Sequence, residues 1–198
     1  MRTFLTDTHP HLGRSGPVCP FMPTAWSLGT VRVRTYDASR GSGGLETTIR
    51  RVRGAFLREA SALGAEASYL AVAVVPYGAP CEEMARQVAD VQYALKPEFV
   101  DVGMMLGEFF PHHPMPGIHA PRFRPLDSPL PFVAIRHMVA TDLLFLANPM
   151  DSPERRIRYL RRYRDLFGEN LPKSWRRRLA AAQKAAQRQL AGPGASTA

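Results

Sequence analysis

Imidazole, guanidinium and thiol groups are the side chains here most able to do chemistry, and many of them crowd into one stretch. Gly107 to His137 (GEFFPHHPMPGIHAPRFRPLDSPLPFVAIRH) holds four of the six histidines, His112, His113, His119 and His137, together with Arg122, Arg124, Arg136, Glu108 and Asp127. Seven prolines lie between Pro111 and Pro131. Proline removes a backbone donor and pushes the residue before it towards extended geometry, so the stretch cannot be one helix. It is expected to be an ordered loop ending in a strand, a common setting for binding or catalysis.

Several chemistries can be weighed from these residues. No CxxC or HExxH pair marks a zinc site. His9-x-His11 and His112-His113 could each lend one metal ligand; adjacent histidines on an extended chain point to opposite faces. Haem needs an apolar slot, an axial ligand and cations for its propionates. Cys19 (followed by Pro20), His119 and His137 are candidate ligands, Phe109, Phe110, Phe123 and Phe132 candidate walls, and Arg122, Arg124 and Arg136 candidate cations. Cys19 with a histidine could form a thiol–imidazole pair, but the spacing singles out no third member. Ser128 lacks a G-x-S-x-G turn. Gly41-Ser42-Gly43-Gly44 could cradle an anion before a helix, but it lacks the P-loop lysine, and a plain flexible loop accounts for it.

These groups need a scaffold. Residues 1–28 read as an irregular arm, because three closely spaced prolines (Pro17, Pro20, Pro23) oppose a helix; Val18, Phe21, Met22 and Trp26 would dock it. Thr30 to Tyr36 alternates like a half-buried strand. Leu45 to Leu63 has helical spacing, with Gly64 as its cap. Tyr69 to Val75 is an apolar strand, and Pro76-Tyr77-Gly78 a turn. Pro80 to Leu95 is a second helix, Val100 to Leu106 a weak strand, and Phe132 to Met138 a further strand. Thr141 to Leu146 fits a short helix or more strand. Ser152-Pro153 starts a tail helix that ends at Gly168, and another follows Pro172. The order predicts an α+β domain, a single mixed sheet with packed helices. The expected organisation is one domain over 1–150, a basic helical tail over 151–190 and a disordered end, 191–198.

Composition bounds the class. A 198-residue chain with 45 % hydrophobic content can bury a core of its own. Two cysteines do not make a disulfide framework. No segment is long and apolar enough for a membrane span, so a cytoplasmic protein is expected. From Asp151 onward 12 Lys/Arg face 4 Asp/Glu, leaving 14 against 13 before it; the net charge of +9 is nearly all in the tail. Such a tail could bind phosphates. Its arginines occupy most sides of an apolar stripe and no recognition motif is present, which argues against nucleic acid.

HPHLGRSGPVCPF, GEFFPHHPMPGIHAPRFRP and SPLPFVAIRHMVATDLLFL resemble an uncharacterised bacterial domain family found mainly in actinobacteria, over roughly residues 9–146. More distantly, the layout is similar to the YqcI/YcgG family: an N-terminal Pro-Cys element, strand, helix, apolar strand ending in Pro, second helix, then a His/Arg loop before the last strand. Some members of that family are haem-dependent oxygenases of amine or guanidine nitrogens. The resemblance implies a haem pocket formed by arm, loop and last strand. His119 or Cys19 would ligate iron, with His137, Phe110 and Phe123 around it. Arg122 and Arg124 would hold propionates or a substrate carboxylate. His112, His113, Arg136 and Asp127 would face the substrate. The Pro-Cys order is Val18-Cys19-Pro20 here, and the family's histidine–serine–arginine pattern is not reproduced. The expectation is a haem-binding oxygenase-like protein acting on a small amine or amino acid, with a homodimer allowed. The rival expectations are a cofactor-free ligand- or partner-binding protein and a His-ligated metal hydrolase.

Overall fold

The computed structural model describes residues 5–117 and 120–192. Helices α1 (Met22–Ser27), α2 (Gly41–Leu63), α3 (Cys81–Asp101), α4 (Leu143–Leu146), α5 (Pro153–Phe167) and α6 (Lys173–Ala191) accompany four strands. These are β1 (Val31–Asp37), β2 (Ala71–Tyr77), β3 (Met104–Phe109) and β4 (Phe132–His137). They form one sheet in the order β1-β2-β4-β3. β1 and β2 are parallel, in register from Val31–Ala71 to Asp37–Tyr77, and β2 and β4 are antiparallel. The fold is therefore α+β with a mixed sheet, as the order of strand and helix signals predicts. The chain divides into two compact units, Met1–Lys96 with Met105–His137, and Pro97–Met104 with Met138–Ala198.

In the first unit, α2 is the crossover that a parallel pair requires. Its apolar spacing buries Leu45, Ile49, Phe56 and Ala60. The Arg32 guanidinium reaches Glu59 of α2 at 2.7 Å, so Arg32, Arg34 and Tyr36 share the α2 side of β1. Val33 and Thr35, on the other face, are exposed. β1 is an edge strand, and an open edge invites pairing with another chain. Here Arg32 and Arg34 cap the carbonyls of Val31 and Val33, which covers part of that edge.

The glycine run is not the loop expected for it. Helix α2 begins at Gly41. The buried Tyr36 phenol donates to the Gly41 carbonyl at 2.6 Å, across the first turn. A Cβ on Gly44 would come closer than 3.0 Å to that phenol oxygen, so this turn needs a glycine. The arm also differs: Met22–Ser27 is a helix, because Pro23 sits in its first turn, where its missing N–H is not needed. Met22 and Ala25 are buried and Phe21 meets Tyr69, whereas Trp26 is 40 % exposed. Pro76 and Tyr77 continue β2, with Pro76 in register with Tyr36, and the chain turns at Gly78 instead (φ 83°).

Helix α3 runs past Leu95 to Asp101, through Pro97. Its buried stripe Val88, Val91, Leu95 and Phe99 continues at helical spacing beyond the proline, which offsets the lost backbone bond. This displaces β3 from Val100–Leu106 to Met104–Phe109. Gly103 precedes the strand, at φ 75°.

In the second unit, Ser152 caps α5 by accepting the Arg155 N–H at 3.3 Å, with Pro153 in the first turn. Tyr159, Leu160 and Tyr163 are fully buried, and the Tyr163 hydroxyl donates to the Ala140 carbonyl at 2.6 Å. The short-helix option for residues 141–146 holds: Leu143–Leu146 is helical, and the Val139 N–H is satisfied by Asp142 Oδ2 at 2.8 Å. The buried Arg156 guanidinium bonds Gln189 of α6, and Arg158 pairs with Asp101. The disorder expected over 191–198 does not hold at Ala191, which ends α6, and residues 193–198 lie outside the described residues. No helix among the described residues is long and apolar enough to cross a membrane.

Candidate functional site

The loop between β3 and β4 is tied at its base. The Phe110 N–H donates to the Leu126 carbonyl and the Ser128 N–H to the Phe110 carbonyl, each at 3.2 Å. Within it the two adjacent histidines part. His113 is buried, with Nε2 3.3 Å from Glu108 Oε1 and Nδ1 accepting the Met115 N–H at 3.2 Å. A nitrogen that accepts carries no proton, so the proton sits on Nε2 and is donated to the carboxylate. The Phe110 ring covers the imidazole at 4.3 Å between centroids. His112 is exposed, and its backbone is left-handed at φ 62°. This is unusual for a residue with a Cβ. Asp127 holds it there by accepting the His112 N–H at 2.8 Å.

The arm meets the far side of this loop. Pro10–Leu12 form a 3-10 turn, started by His9 Nδ1 accepting the His11 N–H. Leu12 packs with Ala120 and Phe123, Val18 lies against that cluster, and the His9 ring sits 4.7 Å from the Phe123 ring. The loop segment is held by Gly117 N–H to the Phe123 carbonyl (2.8 Å) and Phe123 N–H to the Ala120 carbonyl (2.9 Å). Cys19, next to Val18, donates its N–H to the Leu5 carbonyl, and its thiol is free and half-buried. Arg122 is exposed and makes no hydrogen bond among the described residues. Arg124 is half-buried and reaches the Pro121 carbonyl at 2.6 Å.

A family model described as a domain of unknown function, DUF6875, matches residues 1–178. The chain belongs to the DUF6875 family. No curated protein and no solved structure matches it. The DUF6875 match takes in the arm, the whole sheet and the loop, and ends inside α6.

The structure of this DUF6875 chain joins some of the expected site residues and separates others. Val18, the neighbour of Cys19, packs against the cluster that contains Phe123, which Arg122 and Arg124 flank in sequence. His113 is committed to Glu108 and Met115. Phe110 is committed to His113, and Asp127 to the His112 backbone. His137 lies on the α2 side of the sheet, edge-on to Phe56 with 5.0 Å between centroids. Burial holds its pKa below the usual imidazole range. Arg136, one residue earlier in β4, points to the opposite face and bonds the His137 carbonyl at 2.9 Å. His119 lies outside the described residues. Sequence reasoning missed His9 and Leu12 as partners of Phe123, and Glu108 as the partner of His113. A lone carboxylate at the end of an apolar strand was the available signal for Glu108. Among the described residues, no three His, Cys, Asp or Glu side chains are grouped to hold a metal ion. A haem iron needs only one protein ligand.

Proposed function

We propose that this protein binds haem where the arm meets the loop and acts as an oxygenase on a small amine or amino acid. One observation carries the reading: Leu12 and Val18 pack on Ala120 and Phe123, with His9 against the Phe123 ring. This brings the residue next to the free Cys19 thiol against a buried apolar, aromatic cluster whose Phe123 has the exposed Arg122 as its sequence neighbour. That donor set suits a porphyrin, which takes a soft axial ligand, apolar contact and cations for its propionates. The distant likeness of the layout to the YqcI/YcgG family supports it, although the Pro-Cys order and the loop pattern differ.

Cys19 or His119 would hold the iron, and Arg122 and Arg124 the propionates or a substrate carboxylate. His113 is not assigned to iron because both ring nitrogens are engaged, nor His137, which packs on Phe56. Bound haem supplies dioxygen chemistry. The chain's part is to exclude water with Leu12, Val18 and Phe123, and to orient the substrate through its arginines.

A second reading has its own support. Phe109 stacks on Phe132 at 4.5 Å, and Phe110 takes His113. Rings that partner each other suit a cofactor-free ligand- or partner-binding surface. Titrating the purified chain with haemin, alongside Cys19→Ala and His119→Ala, separates the two. Saturable binding at one haem per chain, lost in one of these variants, is expected. Equal, unsaturable uptake by all three would favour the second reading.

A further inference from the structure

Helix α6 carries six cations, Lys173, Arg176, Arg177, Arg178, Lys184 and Arg188, and no acidic residue. At about 100° per residue, Lys173, Arg177, Lys184 and Arg188 fall within about 60° of arc, roughly opposite the buried Leu179 and Ala186. All four are exposed, and none has a hydrogen bond or ion pair among the described residues. At about 1.5 Å per residue the stripe is about 22 Å long.

The arginines of α5 are different. Arg156 is buried against Gln189, Arg158 pairs with Asp101, and Arg164 lies 3.6 Å from Asp165. The groove along α5 sets Arg158, Arg161 and Arg162 against Asp101, Glu154 and Asp165, so its charge is balanced. Four of the six α6 cations therefore form one unopposed face, and this face outweighs the argument against nucleic acid drawn from the spread of the tail's arginines.

We infer that this face docks on the phosphate backbone of a nucleic-acid duplex, without reading sequence. A row of cations on a straight helix matches a ladder of phosphates, and each contact releases a condensed counterion. Around the stripe stand Ala180, Ala181 and Ala185, small enough to let a backbone approach. A helix that lies in a membrane surface instead needs a free face of bulky apolar residues. On α6, Leu179 is buried, Trp175 is half-buried under Arg178 at 5.7 Å, and the exposed Leu190 is a single residue rather than a face. The family match ends at Arg178, so Lys184 and Arg188 lie beyond it.

The test is fluorescence anisotropy of a labelled 24-base-pair DNA duplex with the full chain, across a salt series. Four contacts predict a log–log salt slope of about −3.6. A variant with Lys173, Arg177, Lys184 and Arg188 all changed to Gln should bind at least tenfold more weakly, with a nearly flat salt slope. A control with Arg40, Arg51, Arg58 and Arg86 changed to Gln loses the same charge from elsewhere and should keep both affinity and slope. No binding at low salt, or equal weakening in both variants, would overturn the proposal. So would tighter binding to phosphatidylglycerol vesicles or to polyglutamate than to the duplex.

Discussion

His113 Nε2 stands 3.3 Å from Glu108 Oε1 while its Nδ1 takes the N–H of Met115, so one buried ring joins the end of β3 to the loop that follows. Both bonds need the neutral ring with its proton on Nε2. Replacing His113 with Ala leaves a carboxylate and an amide without their partner and removes the Phe110 ring contact. An unmet buried polar group costs about 1–3 kcal/mol, so a loss in that range is expected on urea unfolding. Loop residues 110–128 should become protease-sensitive before the rest of the chain. A variant as stable as the parent would mean that the ring is not the pin described here.

Gly44 and Tyr36 form a coupled pair. Gly44→Ala sets a methyl against the Tyr36 phenol, and forced overpacking costs about 1–3 kcal/mol. In a Tyr36→Phe background the clashing oxygen is gone, and the same substitution should cost clearly less. A double-mutant cycle measures the difference. Additive costs would show that the phenol does not enforce the glycine.

His137 makes stability depend on pH in a definite direction. Burial against Phe56 holds its folded pKa below the usual value. In the unfolded chain it titrates near ~6.5. As the pH falls below that value, the unfolded state takes up the proton first, so stability drops until the folded pKa is also passed. Above it, both states are neutral and the group adds no slope. His137→Gln should shrink the loss of urea midpoint between pH 7.5 and pH 5.5. An unchanged loss would assign it to other groups.

Ser152→Ala removes the cap of α5. About 1 kcal/mol of stability should go with it, and Ser152→Asp should retain most of that. Thermal unfolding followed by circular dichroism reads both.

The Ser152-Pro153 cap was legible in the sequence because its determinants are local: a side-chain acceptor, and a proline where no donor is required. So was the apolar run that became β2. Pro97 was not, because a proline opposes a helix locally and only the buried Phe99 beyond it shows why the helix continues. The Gly41–Gly44 run read as a loop because its reason, the Tyr36 phenol, comes from β1. The loop's position before the last strand was legible in the sequence, and so were its residue types. Its wiring was not: one histidine is fixed by Glu108 from the strand before it, and Phe123 takes its partners from an arm about 110 residues earlier. Such contacts leave no periodicity to read.

Haem at the arm–loop junction is the central claim. The direct measurement is an absorption spectrum of the full chain purified from haem-supplemented cells, with iron quantified on the same sample. A Soret band and one iron per chain, both lost in Cys19→Ala or His119→Ala, are predicted. A colourless, iron-free protein would contradict the claim and leave a cofactor-free binding surface in its place.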